Sequence, residues 1–532
     1  TASLILGTPA TGNAVYQPVH EQQELDHAIY LQDDWKFNRK LTLNLGLRWE
    51  RQGAFTDRFN QMTNFDPDAT TTVNGVKFRG GTVFPGVNGV PRTVVAESNR
   101  HFAPRVGFAY QAHQKIVLRG GYGIFWVPEK GVLNPASTGY GSTTPMVTSL
   151  DNGLHVANTI DNPWPSGLVL PTGSKGGLLT GIGTSIAGQL RDVYQGYAQQ
   201  WNMTVQYQPW DKWLFEAAYI ANKGVHLQTL QGNNLNQLDP QYLALGNQLN
   251  TTVPNPFAGI ITAGQLGGAT ITKQQSLLPY PQYTGLTGGW SYKGNSAYHG
   301  VAFKVERHYG NGISILSSYT ISKMIDSATG SGGAVRTGGT PETGIVNWYN
   351  LSNERSKSTY DIPQRVVITG VWEEPFFQTA TGWKRQVLAG WNFNGVWSMQ
   401  SGATIALQSG SNIQRPNVVY GVAAKLDQPT LGAWINKAAY SIPAPFTYGN
   451  AGRTIPNVMS DGLFNVDFSL YKNFSIREKF KLQLKGEAYN LSNTPTFEVP
   501  NRDVNAQNFG TVTATALNPR PRSVQLSMRI TF

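Results

Sequence analysis

Asp33 and Asp34 are adjacent carboxylates that could serve acid–base chemistry. Hydrolysis by paired carboxyl groups needs both to converge on one bond. On an extended segment neighbouring side chains point to opposite faces, so these two do not converge. The histidines His20, His27, His101, His113, His155, His226, His299 and His308 are scattered. None has HExxH spacing or a tight partner, so no metal site is expected. Cysteine is absent, which removes thiol nucleophiles, zinc–thiolate sites and disulfides together. The stretch GGYGIF (120–125) reads as strand interior, where glycine relieves crowding, and not as a phosphate loop. TGYGST (138–143) reads as a flexible loop. The residues thus point to no catalytic chemistry and no cofactor.

The stronger signal is in the elements. The last eleven residues, RSVQLSMRITF, alternate strictly. Val524, Leu526, Met528, Ile530 and Phe532 share one face; Ser523, Gln525, Ser527, Arg529 and Thr531 share the other. The same pattern recurs near 27–37, 41–50, 104–112, 115–126, 198–208, 212–222, 297–308, 312–322, 364–373, 388–400, 463–472 and 480–491. Each segment has about ten residues, the length of a tilted strand crossing a bilayer. No apolar run reaches the roughly 18 residues of a membrane helix. Mean hydropathy is only −0.29, as expected when every second residue meets lipid. The net charge of +11 comes from dispersed Lys and Arg, which suits anionic lipid headgroups and argues against a nucleic-acid partner.

Connections alternate between short and long. Short turns fall at 38–40, 113–114, 209–211 and 309–311, with longer ones near 374–387 and 473–479. Between them lie 52–103, 127–196, 223–296, 323–363, 401–462 and 492–521. Short periplasmic turns on one side and long extracellular loops on the other describe an outer-membrane barrel. Aromatic residues such as Trp35, Trp49, Trp126, Trp201, Trp372 and Trp397 sit near strand ends, where interfaces would lie. First and last strands run in the same direction, so thirteen strands cannot close alone, and an open sheet in lipid leaves costly edges. The N-terminal residues do not read as a signal peptide, and residues 1–532 are expected to be the C-terminal part of a longer precursor.

Four stretches carry a resemblance: IYLQDDWKFNRKLTLNLGLRWE (29–50), NQLDPQYLALGNQLNTTVPNPFAG (236–259), STYDIPQRVVITGVW (358–372), and 489–532 from YNLSNTPTFEVPN to the end. They resemble the barrel of TonB-dependent outer-membrane receptors, in particular the Oar-like receptors with a carboxypeptidase-regulatory-like N-terminal domain. Gln364 stands where a His is expected, and Glu373-Glu374-Pro375 where Tyr/Glu-Leu-Pro is expected. The resemblance implies an all-β antiparallel transmembrane barrel in a Gram-negative outer membrane. About thirteen C-terminal strands of a 22-strand barrel would be present; plug, TonB box and early strands would be absent. It also implies that Asp34 pairs with a basic neighbour at a periplasmic strand end.

The implied function is energy-coupled uptake of a ligand, an oligosaccharide or a peptide. The TonB complex would be a partner through the absent N-terminal part, with outer-membrane lipid and lipopolysaccharide outside. Phe532 would be the sorting signal read by the barrel-assembly machinery through strand addition. Arg48, Arg105, Arg119, Lys304, Glu306, Arg365, Lys481, Lys485, Glu487 and Arg529 are expected to line the lumen and meet the plug. Trp164, Trp290, Tyr292, Trp348, Tyr349 and Asn350, on the long loops, are expected to stack on and hydrogen-bond the ligand. Two other readings stay open: a passive porin or adhesin-like barrel, and a secreted all-β enzyme acting on polysaccharide.

Overall fold

The computed structural model describes residues 5–8, 11–127, 136–151, 154–188, 190–191, 195–229, 232–327, 345–377, 379–409, 415–477, 480–516 and 520–532. One antiparallel sheet organises them, and its path follows chain order without a crossover. The strands are β1 (His27–Lys36), β2 (Leu41–Gln52), β3 (Ser98–His113), β4 (Ile116–Trp126), β5 (Tyr197–Tyr207), β6 (Trp213–Leu227) and β7 (Gly294–Gly310). Then come β8 (Ile313–Ser327), β9 (Gln364–Glu373), β10 (Trp391–Gln400), β11 (Leu463–Arg477), β12 (Phe480–Tyr489) and β13 (Ser523–Thr531). The short strand Arg355–Lys357 adds to the loop end of β8. β1 pairs only with β2 and β13 only with β12, so the described sheet keeps two open edges.

The expected segments and the path strands coincide one for one, with corrected ends. On the long-loop side β3, β6, β7 and β8 reach further, to Ser98, Leu227, Gly294 and Ser327, because their backbones keep pairing beyond the apolar alternation. β10 begins at Trp391 and not at 388, since a short helix α1 (Gly382–Leu388) fills the longer turn. The connection expected at 473–479 is narrower, because β11 runs to Arg477 and β12 starts at Phe480.

Register carries the two faces across the sheet. One row reads Leu41, Tyr110, Leu118, Val205, Ala217, Phe303, Tyr319, Val366, Met399 and Phe464, each directly opposite the next. The next row, on the other face, reads Thr42, Ala109, Arg119, Thr204, Ala218, Ala302, Thr320, Arg365 and Gln400. The apolar face stays uncovered: Leu31 is 79% exposed, Val106 52% and Leu526 84%. Among the described residues no second protein layer lies over it, and such a face needs hydrocarbon instead of water. Two gaps in the apolar wall are filled by neighbouring rings: a Cβ at Gly120 would lie 2.6 Å from the Phe108 ring, and one at Gly395 2.6 Å from Trp397.

The long connections lie where expected and are themselves folded. The hydrophobic core of the chain sits in them. Ile405, Leu407, Ile435, Tyr440, Ile455 and Phe509 form one cluster, and Phe65, Ile186, Tyr280, Tyr283 and Leu286 another. The hairpin Asn64–Val73/Val76–Val83 turns on Asn74 (φ 49) and Gly75 (φ 83), the left-handed pair that suits the strand twist. TGYGST is also ordered: Ser142–Pro145 pairs with Asn13–Tyr16, and the Tyr140 ring packs edge-on to Phe84 at 5.7 Å.

Candidate functional site

Pairing places all ten residues expected to line a lumen on the polar face. Alternation puts basic and acidic residues two apart on single strands, where they share that face. Lys304 Nζ meets Glu306 at 2.8 Å, Lys485 Nζ meets Glu487 at 2.8 Å, and Arg48 pairs with Glu50 in the same way. Arg105 instead lies over the Phe125 ring, 4.7 Å from its centre. Asp33 and Asp34 fall on opposite faces, as expected. Asp34 finds an amide and not a basic neighbour: Asn44 Nδ2 donates to its Oδ1 at 2.6 Å.

A shallow groove of about 330 Å³ crosses the polar face over β1 to β5. Its floor is Gly46, Gly107, Gly121 and Gly123; Gln32, Asn44, Gln200, Asn202 and Arg105 rim it. None of these four glycines has a left-handed φ. A Cβ on Gly46, Gly107 or Gly121 would meet its nearest neighbour at 3.7, 3.5 and 3.5 Å, ordinary contact distances. Neither backbone conformation nor packing within the chain therefore requires glycine at these three positions, whereas a Cβ on Gly123 would press on the Phe125 ring at 3.0 Å. The floor leaves backbone open to something approaching from the polar side.

Above the sheet, three loops meet at Gln237, which lies in the 236–259 stretch but is marked there by neither type nor spacing. Its Nε2 donates to the Val346 carbonyl at 2.7 Å and to the Tyr448 hydroxyl at 3.2 Å. Its Oε1 accepts from the Trp348 amide at 2.7 Å, and the Tyr349 hydroxyl donates to its carbonyl at 3.0 Å. Trp348, Tyr349 and Asn350 are thus gathered together, with Tyr448 and Asp239 nearby. Burial raises the pKa of the Tyr349 and Tyr448 hydroxyls, so both remain neutral donors. The Tyr349 ring is still 51% exposed, but Asn350 Oδ1 is occupied by the Ser352 amide at 3.0 Å.

Trp164 stands apart from this group, its indole N–H donating to the Thr144 carbonyl at 3.0 Å. Tyr292 follows the strand Gly285–Trp290, and the Trp290 side chain lies outside the described residues. Among the described residues no group of three or more His, Asp and Glu could hold a metal ion. Phe532 lies just past β13 and is 90% exposed.

Two buried ion pairs bind the outer layer together. Asp326, at the end of β8, pairs with Arg453, and Glu354 pairs with Arg415. All four side chains are at most 2% exposed. Arg453 Nε also donates to the Glu354 carbonyl at 3.3 Å, and Arg415 Nη1 to the Asn353 carbonyl at 3.3 Å. Burial lowers the pKa of the Arg453 guanidinium to about 10.

No curated protein matches the chain. Among solved structures, it is similar to the outer membrane transporter YddB from Escherichia coli, at 10% identity over 96% of this chain and 45% of that one, TM-score 0.43. It is similar to the ferripyoverdine receptor of the outer membrane of Pseudomonas aeruginosa, at 10% identity over 96% and 39%, TM-score 0.42. The FrpB iron transporter from Neisseria meningitidis gives 10% identity over 96% and 46%, TM-score 0.41. The chain spans less than half the length of these structures. A family model described as an outer membrane beta barrel domain matches residues 1–525. With one bilayer-suited face, one polar face and a capping layer of loops, the chain belongs to the outer membrane beta-barrel domain family.

Proposed function

We propose that this chain is the C-terminal barrel portion of a TonB-dependent receptor of the Oar-like kind, importing a ligand across a Gram-negative outer membrane. The glycine floor on the polar face carries this reading. Three glycines that neither backbone conformation nor packing requires, Gly46, Gly107 and Gly121, rimmed by amides and Arg105, make a seat for a second protein body in the lumen. In this reading the seat receives a plug, and Arg119, Arg365, Lys481 and Arg529 complete the contact on the same polar face. Strands beyond the two open edges close the cylinder, up to the 22 staves of such transporters. The TonB complex is engaged through the plug, and Phe532 presents β13 to the barrel-assembly machinery. The chain performs no covalent chemistry.

The ligand meets the outer layer first. The Tyr349 ring, the indole of Trp348 and the phenol of Tyr448, set beside Asp239, suit a sugar or peptide that stacks and hydrogen-bonds. Uptake measured in cells carrying the native gene tests the coupling. Collapse of uptake when the proton motive force is dissipated supports a coupled receptor. An unchanged rate would assign the barrel to passive diffusion instead.

A further inference from the structure

Cationic residues collect on the apolar face of the sheet at the loop end of β6 to β8. Register puts Lys223 opposite Ala297, Ala297 opposite Ile325, Ile325 opposite Lys357, Ser327 opposite Arg355, and His299 opposite Lys323. All of these share the face of Val301, Phe303 and Ile321. Lys223, Arg355 and Lys293 line a cavity of about 380 Å³ that includes Ser352 and no carboxylate.

Two of the nearby acids are engaged elsewhere. Asp326 lies on the other face, paired with Arg453, and Glu354 is buried against Arg415. Asp361 is buried near Lys323 and Lys357, and its Oδ1 accepts from the Met324 amide at 2.6 Å. Among the described residues no ion pair engages Lys223, Lys293 or Arg355.

The chemistry changes in order along these strands. Val205, Phe303 and Tyr319 lie deep, then Tyr219, Val301 and Ile321. Trp201, His299 and Lys323 follow, with the Tyr219 hydroxyl 2.8 Å from His299 Nδ1. Lys223, Lys357 and Arg355 come last. Only two residues, about 7 Å of strand, separate Lys323 from the aliphatic row. A soluble anion would use the cations and leave the apolar wall idle. An amphiphile with a phosphorylated head uses both.

We infer that the loop end of β6 to β8 is a binding site for a phosphorylated glycolipid of the outer leaflet. Its phosphate sits among Lys223, Lys293 and Arg355, and its acyl chains run down the wall of Tyr219, Val301 and Ile321. The site rests only on membrane location, so it stands or falls separately from energy coupling.

The test is native mass spectrometry of the whole receptor, purified from cells carrying the native gene, after incubation with nanodiscs containing bis-phosphorylated lipid A. Each cation near a charged lipid surface contributes enough that removing two lowers affinity about 30-fold. The K223Q/R355Q variant is expected to show that loss. K223R/R355K is expected to retain the lipid, and so is K425Q/K437Q, which removes equal charge from an outer loop. Unheated mobility in SDS gels identifies any variant that fails to fold. Lipid retained equally by wild type and K223Q/R355Q overturns the site. Equal retention of dephosphorylated lipid A removes the phosphate from it. Displacement of lipid A by millimolar inorganic phosphate shows an anion site that does not read the lipid.

Discussion

Arg453 shows what a single side chain does in this molecule. Its guanidinium is buried with Asp326, and its Nε reaches the Glu354 carbonyl that belongs to the next pair. Removing one partner leaves the other charge buried and uncompensated, at a cost of about 3–5 kcal/mol. Arg453→Met is therefore expected to lower the denaturant midpoint of the outer layer sharply, and the double change Arg453→Met/Asp326→Leu to recover most of it. Proteolysis of the loops in intact cells follows both. Tyr283 and Tyr440 give a second expectation, from acidity. Burial raises both phenols to about 12. Unfolded tyrosine releases its proton near 10, so between roughly pH 10 and 12 the unfolded state binds fewer protons and stability falls as pH rises. Below pH 10 the full contribution is present. Phenolate absorbance should lag behind that of free tyrosine and then rise with exposure of the loop cores, while sheet amides stay protected from exchange.

At the scale of the element, alternation makes each strand two surfaces with two solvents. Met203 lies on the apolar face at the middle of β5, next to Thr204 on the polar face. Met203→Arg is expected to cost about 2–4 kcal/mol and Thr204→Gln, opposite Arg119 on the polar face, close to nothing, read by urea unfolding in lipid vesicles. Equal costs would contradict the face assignment. This contrast was legible from residue order because a period of two needs no knowledge of partners: β2, β12 and β13 were readable to within two residues at each end. The loops were not. Phe65 and Tyr283 pack in one cluster although more than two hundred residues separate them, and nothing local to either predicts the other. Gln237 likewise has no signature of type or spacing; three loops converge on it only once they are folded. The Asn74-Gly75 dipeptide is a local hairpin signal inside the 52–103 loop, one that strand alternation alone does not bring out. The ten polar-face residues were readable as a set, while the glycine groove needed β2, β3 and β4 brought side by side.

At the scale of the whole molecule, the open edges of β1 and β13 dominate. Their unpaired backbone groups cannot remain bare in hydrocarbon, where each costs several kcal/mol. Handled alone in detergent, the 532-residue chain is expected to associate edge to edge, and sedimentation should report oligomers. Supplying a polypeptide that contributes the adjoining staves should convert them to a single closed species. A chain that stays monodisperse and monomeric by itself would contradict this.

The paired charges under the outer layer also constrain how its surface can change over generations. Exchange of Asp326 or Arg453 alone strands its partner, and so does exchange of Glu354 or Arg415. Variation under pressure from phages or antibodies is therefore expected to drift freely at exposed rims and to enter these anchors only as coordinated double substitutions. Relatives that remodel one loop should carry a matching alteration in another, distant in sequence and touching in space.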